Sequence, residues 1–134
     1  MICSLEGGNG GMNDDGSLVV EVGTPGIGII GYQVMVSDRD RETCNARARL
    51  SLFCRTIVRE ADSSIYGFLD SRDRAMFDRL IRVPGVGPST ALRALSVMNA
   101  EQITKCIADG MKAGLVSVPG IGLKTANKII EELS

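Results

Sequence analysis

The sequence predicts an α+β protein of two domains, with a small five-stranded β-barrel over residues 1–68 and an all-α domain over residues 69–134. Three observations support this prediction. Short runs of Val, Ile and Leu alternate with turn residues in the first half, apolar spacing becomes helical after residue 70, and a twelve-residue segment of the second half occurs twice. Strands gathered in one half and helices in the other indicate separate domains.

Five runs in the first half have the composition of β-strands, and they cover residues 2–5, 18–22, 29–36, 48–58 and 64–68. The glycine-rich residues 7–11 and the polar residues 13–16 predict a long flexible hairpin connection, and residues 24–28 predict the next turn. Residues 37–47 are polar and charged without a clear period, so we expect a loop there. Five strands of this length fit a small barrel better than a sandwich.

The helices of the second half are predicted from apolar spacing and from end signals. A helix over residues 71–83 would carry four apolar side chains on one face: Met76, Phe77, Leu80 and Ile81. Asn99, with Gln102 three residues later, has the pattern of a capping box. This pattern predicts a helix that runs to about residue 109, where Gly110 suits its end.

An internal repeat sets the architecture of the second half. Residues 80–91 recur 35 residues later as residues 115–126, with the same Leu, Val, Pro, two Gly, Thr and Ala at matched positions. Each copy is predicted to form a helix, a Pro-Gly-x-Gly turn and a second helix. Two copies of one unit predict a pseudo-two-fold pair whose helices pack on each other.

The repeated turn has the features of a phosphate-binding site. Pro84 and Pro119 end the first helix of each unit, because proline disfavours helical geometry in the residue before it. Four glycines permit positive φ and leave the backbone bare: Gly85, Gly87, Gly120 and Gly122. The next helix begins with unpaired N–H groups at the positive end of its dipole, which favours an anion. Nearby side chains can add hydroxyl or ammonium donors: Ser89, Thr90, Lys124 and Thr125.

The alternative interpretation is that each turn is only a tight connector between packed helices. One such turn would favour that alternative. Two turns in register favour phosphate binding, because they lie in a basic segment. Residues 79–128 contain seven basic residues and only two acidic ones. A pseudo-two-fold pair of cradles would match two phosphates across a duplex groove, so we expect recognition of backbone and shape.

Several classes of protein are not expected, because the sequence lacks the residues or motifs that they need. The chain has no His, and its four Cys form no C-x-x-C pair, so we expect four reduced and mostly buried thiols, no metal and no cofactor. No phosphate-binding Gly-x-x-x-x-Gly-Lys loop is present, so ATP hydrolysis by this chain is not expected. There is no apolar run of membrane-spanning length and no secretory signal, which predicts a cytoplasmic protein.

The motifs Gly85-Val-Gly-Pro88 and Pro119-Gly-Ile-Gly-Leu-Lys-Thr-Ala126 are of the helix-hairpin-helix type. Together with Ile57-Val-Arg-Glu60 and Ile65-Tyr-Gly-Phe68, they resemble the RuvA family, the Holliday-junction recognition subunits of bacterial branch migration. The resemblance covers essentially the whole chain and is weakest over residues 7–47. It implies an OB-fold barrel followed by a tandem helix-hairpin-helix domain.

The resemblance also implies a function and partners. The chain would bind four-way junction DNA as a non-catalytic homotetramer and hold it open for the RuvB ATPase motor, with the RuvC resolvase as a further partner. The family's C-terminal motor-binding domain is absent from these residues, which implies a truncated form or a fragment. A DNA-repair enzyme that uses the same motif on ordinary duplex is the alternative, and a protein-interaction module is a third possibility.

Family resemblance assigns particular residues as well. The turn glycines and two cations, Lys124 and Lys128, would bind phosphate. Ser89 and Leu123 replace lysines that are usual in the family, which predicts fewer charge contacts.

The family's acidic pin at the junction centre maps to residues 59–62. There Glu60 matches, Asp62 is displaced by Ala61, and Arg59 adds a cation. Carboxylates at that place would repel phosphates and disfavour ordinary duplex. Without the resemblance, acids in a hairpin loop would be unremarkable, and that alternative stays open.

Overall fold

The computed structural model describes residues 1–134. Its elements in chain order are β1 (Ser4–Met12), β2 (Leu18–Thr24), β3 (Gly28–Met35), α1 (Asp38–Asn45), β4 (Arg49–Val58), β5 (Ser63–Phe68), α2 (Ser71–Leu80), α3 (Pro88–Val97), α4 (Ala100–Ala108), α5 (Lys112–Val116) and α6 (Leu123–Leu133). Five strands precede a purely helical region, which confirms the predicted fold class. None of the helices is long and apolar enough to cross a membrane.

The five strands form a closed barrel in the order β1-β2-β3-β5-β4. All neighbours are antiparallel except β3 and β5, which are parallel and share only the pairs Val34–Ile65 and Met35–Tyr66. This is the strand arrangement of an OB-fold. Alternate residues point inward, and the largest fully buried side chains of the barrel are Leu18, Val20, Val34, Leu50, Leu52 and Phe68.

The first strand is longer than predicted, and the flexible connection expected at residues 7–11 is wrong. These residues belong to β1, where Gly8 pairs with Glu21 on one side and with Arg49 on the other. Gly7 has to be glycine here, because a Cβ would lie 2.3 Å from the carbonyl oxygen of Glu21. Glycine has a low strand propensity, so the composition of these residues does not predict a strand. The strand forms because β2 and β4 pair with it closely on both sides.

The loop expected at residues 37–47 is also wrong, because most of it forms helix α1. The Ser37 hydroxyl caps this helix by accepting a hydrogen bond from the Asp40 N–H at 3.1 Å. Only Asp40 and Cys44 are buried, one turn apart on the same face. Because the buried face consists of one acid and one thiol, the sequence shows no helical spacing of apolar residues that would predict this helix.

In the second half, most helix predictions are confirmed. Asn99 and Gln102 form a complete capping box at the start of α4, and Gly110 follows its end with a φ of 65°. The first helix is shorter than predicted: α2 ends at Leu80 and the chain then tightens, with the Val83 N–H donating to the Leu80 carbonyl. On its apolar face, Met76, Phe77 and Leu80 are buried, while Ile81 is half-buried.

Three of the four cysteines, Cys44, Cys54 and Cys106, are buried, as expected. Burial raises the pKa of the Cys54 thiol to about 11. The exposed one is Cys3.

The chain divides into two compact units, Met1–Arg74 and Ala75–Ser134. The first turn of α2 belongs to the first unit: Asp73 pairs with Arg39 at 3.3 Å, and the Arg74 guanidinium donates to the Cys3 carbonyl at 3.0 Å. The predicted domain boundary between residues 68 and 69 stays a prediction.

Candidate nucleic-acid interface

The two Pro-Gly-x-Gly turns of the repeat have the same backbone geometry. Gly85 and Gly120 adopt φ of 92° and 94°, in the region that favours glycine. The Val86 N–H donates to the Val83 carbonyl at 3.0 Å, and the matched Ile121 N–H donates to the Val118 carbonyl at the same distance. The sequence repeat is therefore a structural repeat of helix, turn and helix.

The second glycine of each turn does not use the positive φ that glycine permits. Gly87 and Gly122 have φ of −89° and −88°, and they are the N-cap residues of α3 and α6. A Cβ at either position would meet no protein atom within 4 Å. The fold itself leaves these two positions open, so glycine keeps the outer side of the turn bare.

The helices that follow the turns begin without a capping side chain. Helix α3 has 10 residues and α6 has 11, and neither N-cap glycine can accept from the first N–H groups. These groups carry the positive end of the helix dipole. Each turn thus combines bare backbone, unsatisfied donors and a positive potential, as predicted.

The two turns pack against each other's helices in a reciprocal manner. A Cβ at Gly120 would lie 3.5 Å from Oγ1 of Thr90 in α3, and one at Gly85 would lie 3.9 Å from Oγ1 of Thr125 in α6. The repeat matches Gly85 with Gly120 and Thr90 with Thr125, so each of the two contacts is the counterpart of the other. This exchange is the pseudo-two-fold relation expected from the repeat. Both threonines are half-buried against the opposite turn, so their hydroxyls also serve helix packing.

Side chains near the turns differ in charge between the two copies. Ser89 and Lys124 occupy matched positions and are both exposed, whereas Lys128 is half-buried. Leu123, at the first position of α6, is 60% exposed. Arg93 is the counterpart of Lys128 in the first copy, and it is not among the site residues predicted from the sequence. The signal was available, since a shift of 35 residues aligns the two cations.

The proposed pin residues lie in the hairpin between β4 and β5. The turn is closed by the Arg59 N–H, which donates to the Asp62 carbonyl at 2.8 Å. Glu60 and Asp62 are both exposed at its tip, and neither carboxylate forms an ion pair. The structure therefore brings the two acids together on one exposed hairpin despite the intervening Ala61.

Comparison with known proteins supports the same interpretation. A family model described as a SAM-like helix-hairpin-helix tandem matches residues 77–134. The Holliday junction branch migration complex subunit RuvA of Chloroflexus aurantiacus is 42% identical over 120 residues, covering 87% of this chain and 57% of the relative. The subunit of the same name from Chloroflexus aggregans is 40% identical over 137 aligned positions, covering 99% of this chain and 66% of the relative.

This chain belongs to the RuvA family. The RuvA subunit of Campylobacter hominis, 36% identical over 78% of this chain, adds a more distant bacterial relative. The chain spans 57% to 66% of the length of these RuvA relatives. The similarity over nearly the whole chain in one of them includes the barrel as well as the helical repeat.

Proposed function

We propose that this chain binds four-way junction DNA through the phosphate backbone and holds the junction open as a non-catalytic scaffold for an ATP-driven branch-migration motor. The observation that carries the proposal is the reciprocal pair of bare, uncapped turns in a chain of the RuvA family. Two equivalent anion sites related by a pseudo-two-fold axis suit two phosphates of one duplex arm.

The residues proposed to bind phosphate are the glycines, hydroxyls and lysines of the two repeats: Gly85, Gly87, Ser89, Thr90, Gly120, Gly122, Lys124, Thr125 and Lys128. The backbone N–H groups supply most of the contacts and the lysines supply charge. Contacts from backbone N–H groups and from lysines to phosphate carry no base-sequence information directly. We therefore propose that binding is independent of base sequence.

The hairpin at residues 59–62 is proposed to act at the junction centre. Glu60 and Asp62 would repel the crossover phosphates and so separate the strands, while Arg59 would hold a neighbouring phosphate. Their exposure and lack of ion pairs support this role, since the negative charge is not neutralised within the chain. An ordinary duplex has no open centre to receive them, which gives junctions the advantage.

The proposed assembly is a cytoplasmic homotetramer with one protomer for each arm. We propose that the partner motor is the RuvB ATPase, contacted through a C-terminal domain outside these residues, and that the RuvC resolvase acts on the same complex. The chain itself is proposed to need no cofactor or metal. No group of three or more Cys, Asp or Glu side chains is placed to hold a metal ion.

A gel-shift competition between a four-way junction and a linear duplex of equal length tests the proposal. We expect the junction to bind more tightly, because four arms engage four protomers and the centre accepts the acidic hairpin. Equal affinity for both DNAs would favour the alternative of a repair-enzyme domain that binds duplex. No binding to either DNA would indicate that the hairpins only pack, as in a protein-interaction module.

A further inference from the structure

One cation near the second turn comes from the first repeat. Arg93 lies in α3, one helical turn after Ser89, and it is exposed. Its guanidinium crosses to the other repeat, where one N–H donates to the Pro119 carbonyl at 3.3 Å. A Cβ at Gly120 would lie only 2.8 Å from the same nitrogen. Arg93 is therefore seated on the turn of residues 119–122.

The fixed position of this guanidinium leaves donors for a ligand. Arginine has five N–H donors in a planar fork, and the Pro119 carbonyl lies against one nitrogen only. The geometry of the fork matches phosphate oxygens, and the bond to Pro119 reduces the side-chain freedom that binding would otherwise cost. A side chain at residue 120 would displace the guanidinium, so glycine at this position permits the arrangement as well as the positive φ.

We propose that Arg93 binds the same phosphate as Lys124, at the turn of the opposite repeat. This inference rests on the proposed function, because it needs DNA at the second turn. Its consequence is an unequal pair of sites. The proposal places two cations from two different repeats at the second turn. At the first turn, the only side-chain atom within 4 Å of a Cβ at Gly85 is Oγ1 of Thr125.

The test uses the full chain and a fluorescent four-way junction, with affinity measured by anisotropy from about 50 to about 300 mM salt. We expect Arg93→Gln to weaken junction binding about tenfold, which corresponds to about 1.4 kcal/mol, and to lower the log–log salt slope by about 1 per protomer. Arg93→Lys should recover most of the slope. Lys105→Ala is the matched control, because it removes one exposed charge from α4 and should change affinity less than about twofold.

A double-mutant cycle tests whether the two cations share one phosphate. Arg93→Gln combined with Lys124→Ala should weaken binding by clearly less than the product of the single effects, because each variant already disrupts the same contact. Multiplicative effects would show that the two cations bind independent phosphates and would overturn the shared site.

Thermal unfolding separates a role in DNA binding from a role in packing. We expect Arg93→Gln to change the melting temperature little, since the glutamine amide keeps a donor for the turn. A lowered melting temperature with an unchanged salt slope would assign Arg93 to packing alone and overturn the inference. If the unaltered protein binds no DNA, the proposed function fails together with this inference. If Lys124→Ala is also without effect, the second turn does not bind phosphate and this inference fails with it. If only Arg93→Gln is without effect, the proposed function stands and this inference fails.

Discussion

At the scale of the residue, the two repeats offer a comparison within one molecule. Ser89 and Lys124 occupy matched positions beside turns of nearly identical geometry, and both side chains are exposed. The backbone donors are the same in both copies except at the first helical residue, where Pro88 has no N–H and Leu123 has one. Substitutions within one copy therefore isolate the contribution of the side chain. A lysine that neutralises a phosphate releases a condensed counterion, whereas a serine adds only a neutral hydrogen bond.

We therefore expect Lys124→Ala to weaken junction binding equally for all base sequences and to lower the salt slope by about 1 per phosphate contact. Ser89→Ala should cost only about 0.5–1.5 kcal/mol, and Ser89→Lys should strengthen binding and steepen the slope. Junction affinities of the three variants across a salt series provide the measurement. If Lys124→Ala leaves affinity and slope unchanged, the second turn does not bind phosphate.

Asp40 provides a prediction about stability and pH. Burial raises the pKa of this carboxyl, although it accepts a hydrogen bond from the Leu69 N–H at 3.2 Å. A raised pKa in the folded state means that ionised Asp40 destabilises the fold at neutral pH, and that this cost disappears as the pH falls through the raised pKa.

We expect Asp40→Asn, which keeps the acceptor, to be at least as stable as the unaltered protein at pH 7. The difference should shrink as the pH is lowered. Asp40→Ala should instead be destabilised by about 1–3 kcal/mol, because the Leu69 N–H loses its partner. Urea unfolding over a pH series measures both effects. A stability gap for Asp40→Asn that does not change with pH would contradict the assignment.

At the scale of the element, the sequence predicts best where local signals and tertiary structure agree. The capping box of α4 and the repeated turns were found because end signals and period point the same way. Helix α1 and the glycine-rich part of β1 were missed because long-range partners determine them. The Asn9 side chain bonds to carbonyls of Cys44 and Arg47, and Gly7 is fixed by Glu21. The repeat aligns Arg93 with Lys128, but the sequence alone does not show that its guanidinium contacts the carbonyl of Pro119, 26 residues away.

The N-cap glycines allow stability and binding to be separated. Serine is a better N-cap than glycine by a few tenths of a kcal/mol, because its hydroxyl accepts from the helix N–H groups. We expect Gly122→Ser to leave the fold equally or slightly more stable, since no protein atom lies within 4 Å of a Cβ there. It should nevertheless weaken junction binding, because the hydroxyl occupies the donors intended for phosphate. Thermal unfolding and junction affinity are to be measured on the same samples, and unchanged affinity would argue against the cradle.

The β4–β5 hairpin makes a prediction about selectivity. Replacing Glu60 and Asp62 together by Gln and Asn should remove repulsion at the crossover, so that duplex binding strengthens more than junction binding. If the displaced Asp62 contributes little, then Glu60→Gln alone should give nearly the whole effect. Competition between the two DNAs measures the ratio of affinities. A ratio that stays constant in the double variant would exclude the hairpin as a selectivity element.

The net charge of the chain is −1, but its two halves carry net charges of opposite sign. Residues 1–66 hold six basic and nine acidic residues, whereas residues 67–134 hold nine basic and seven acidic ones. The acidic half includes the hairpin proposed for the junction centre, and the basic half includes the turns proposed to bind phosphate. Under the proposed function, one half attracts DNA and the other repels it, so we expect several copies to be needed to position a junction.

We therefore expect four protomers in the assembly, with closed symmetry that matches the four arms. Light scattering at micromolar concentration should give a mass near four chains of 14.3 kDa, in the presence of junction DNA if not in its absence. A strict monomer under both conditions would contradict the proposed scaffold.

The reciprocal packing of the two turns also bears on strand polarity. The strands of a duplex run in opposite directions and are related by two-fold axes, so a module with its own pseudo-two-fold axis fits an arm equally well in either orientation. The backbone donors confer little sense of direction, although Pro88 lacks the N–H that Leu123 supplies at the matched position of α6. Lys124, with serine at the matched position, breaks this equivalence further. A perfectly duplicated domain would bind both strands alike, whereas under the proposed function we expect this one to distinguish the strand entering an arm from the strand leaving it.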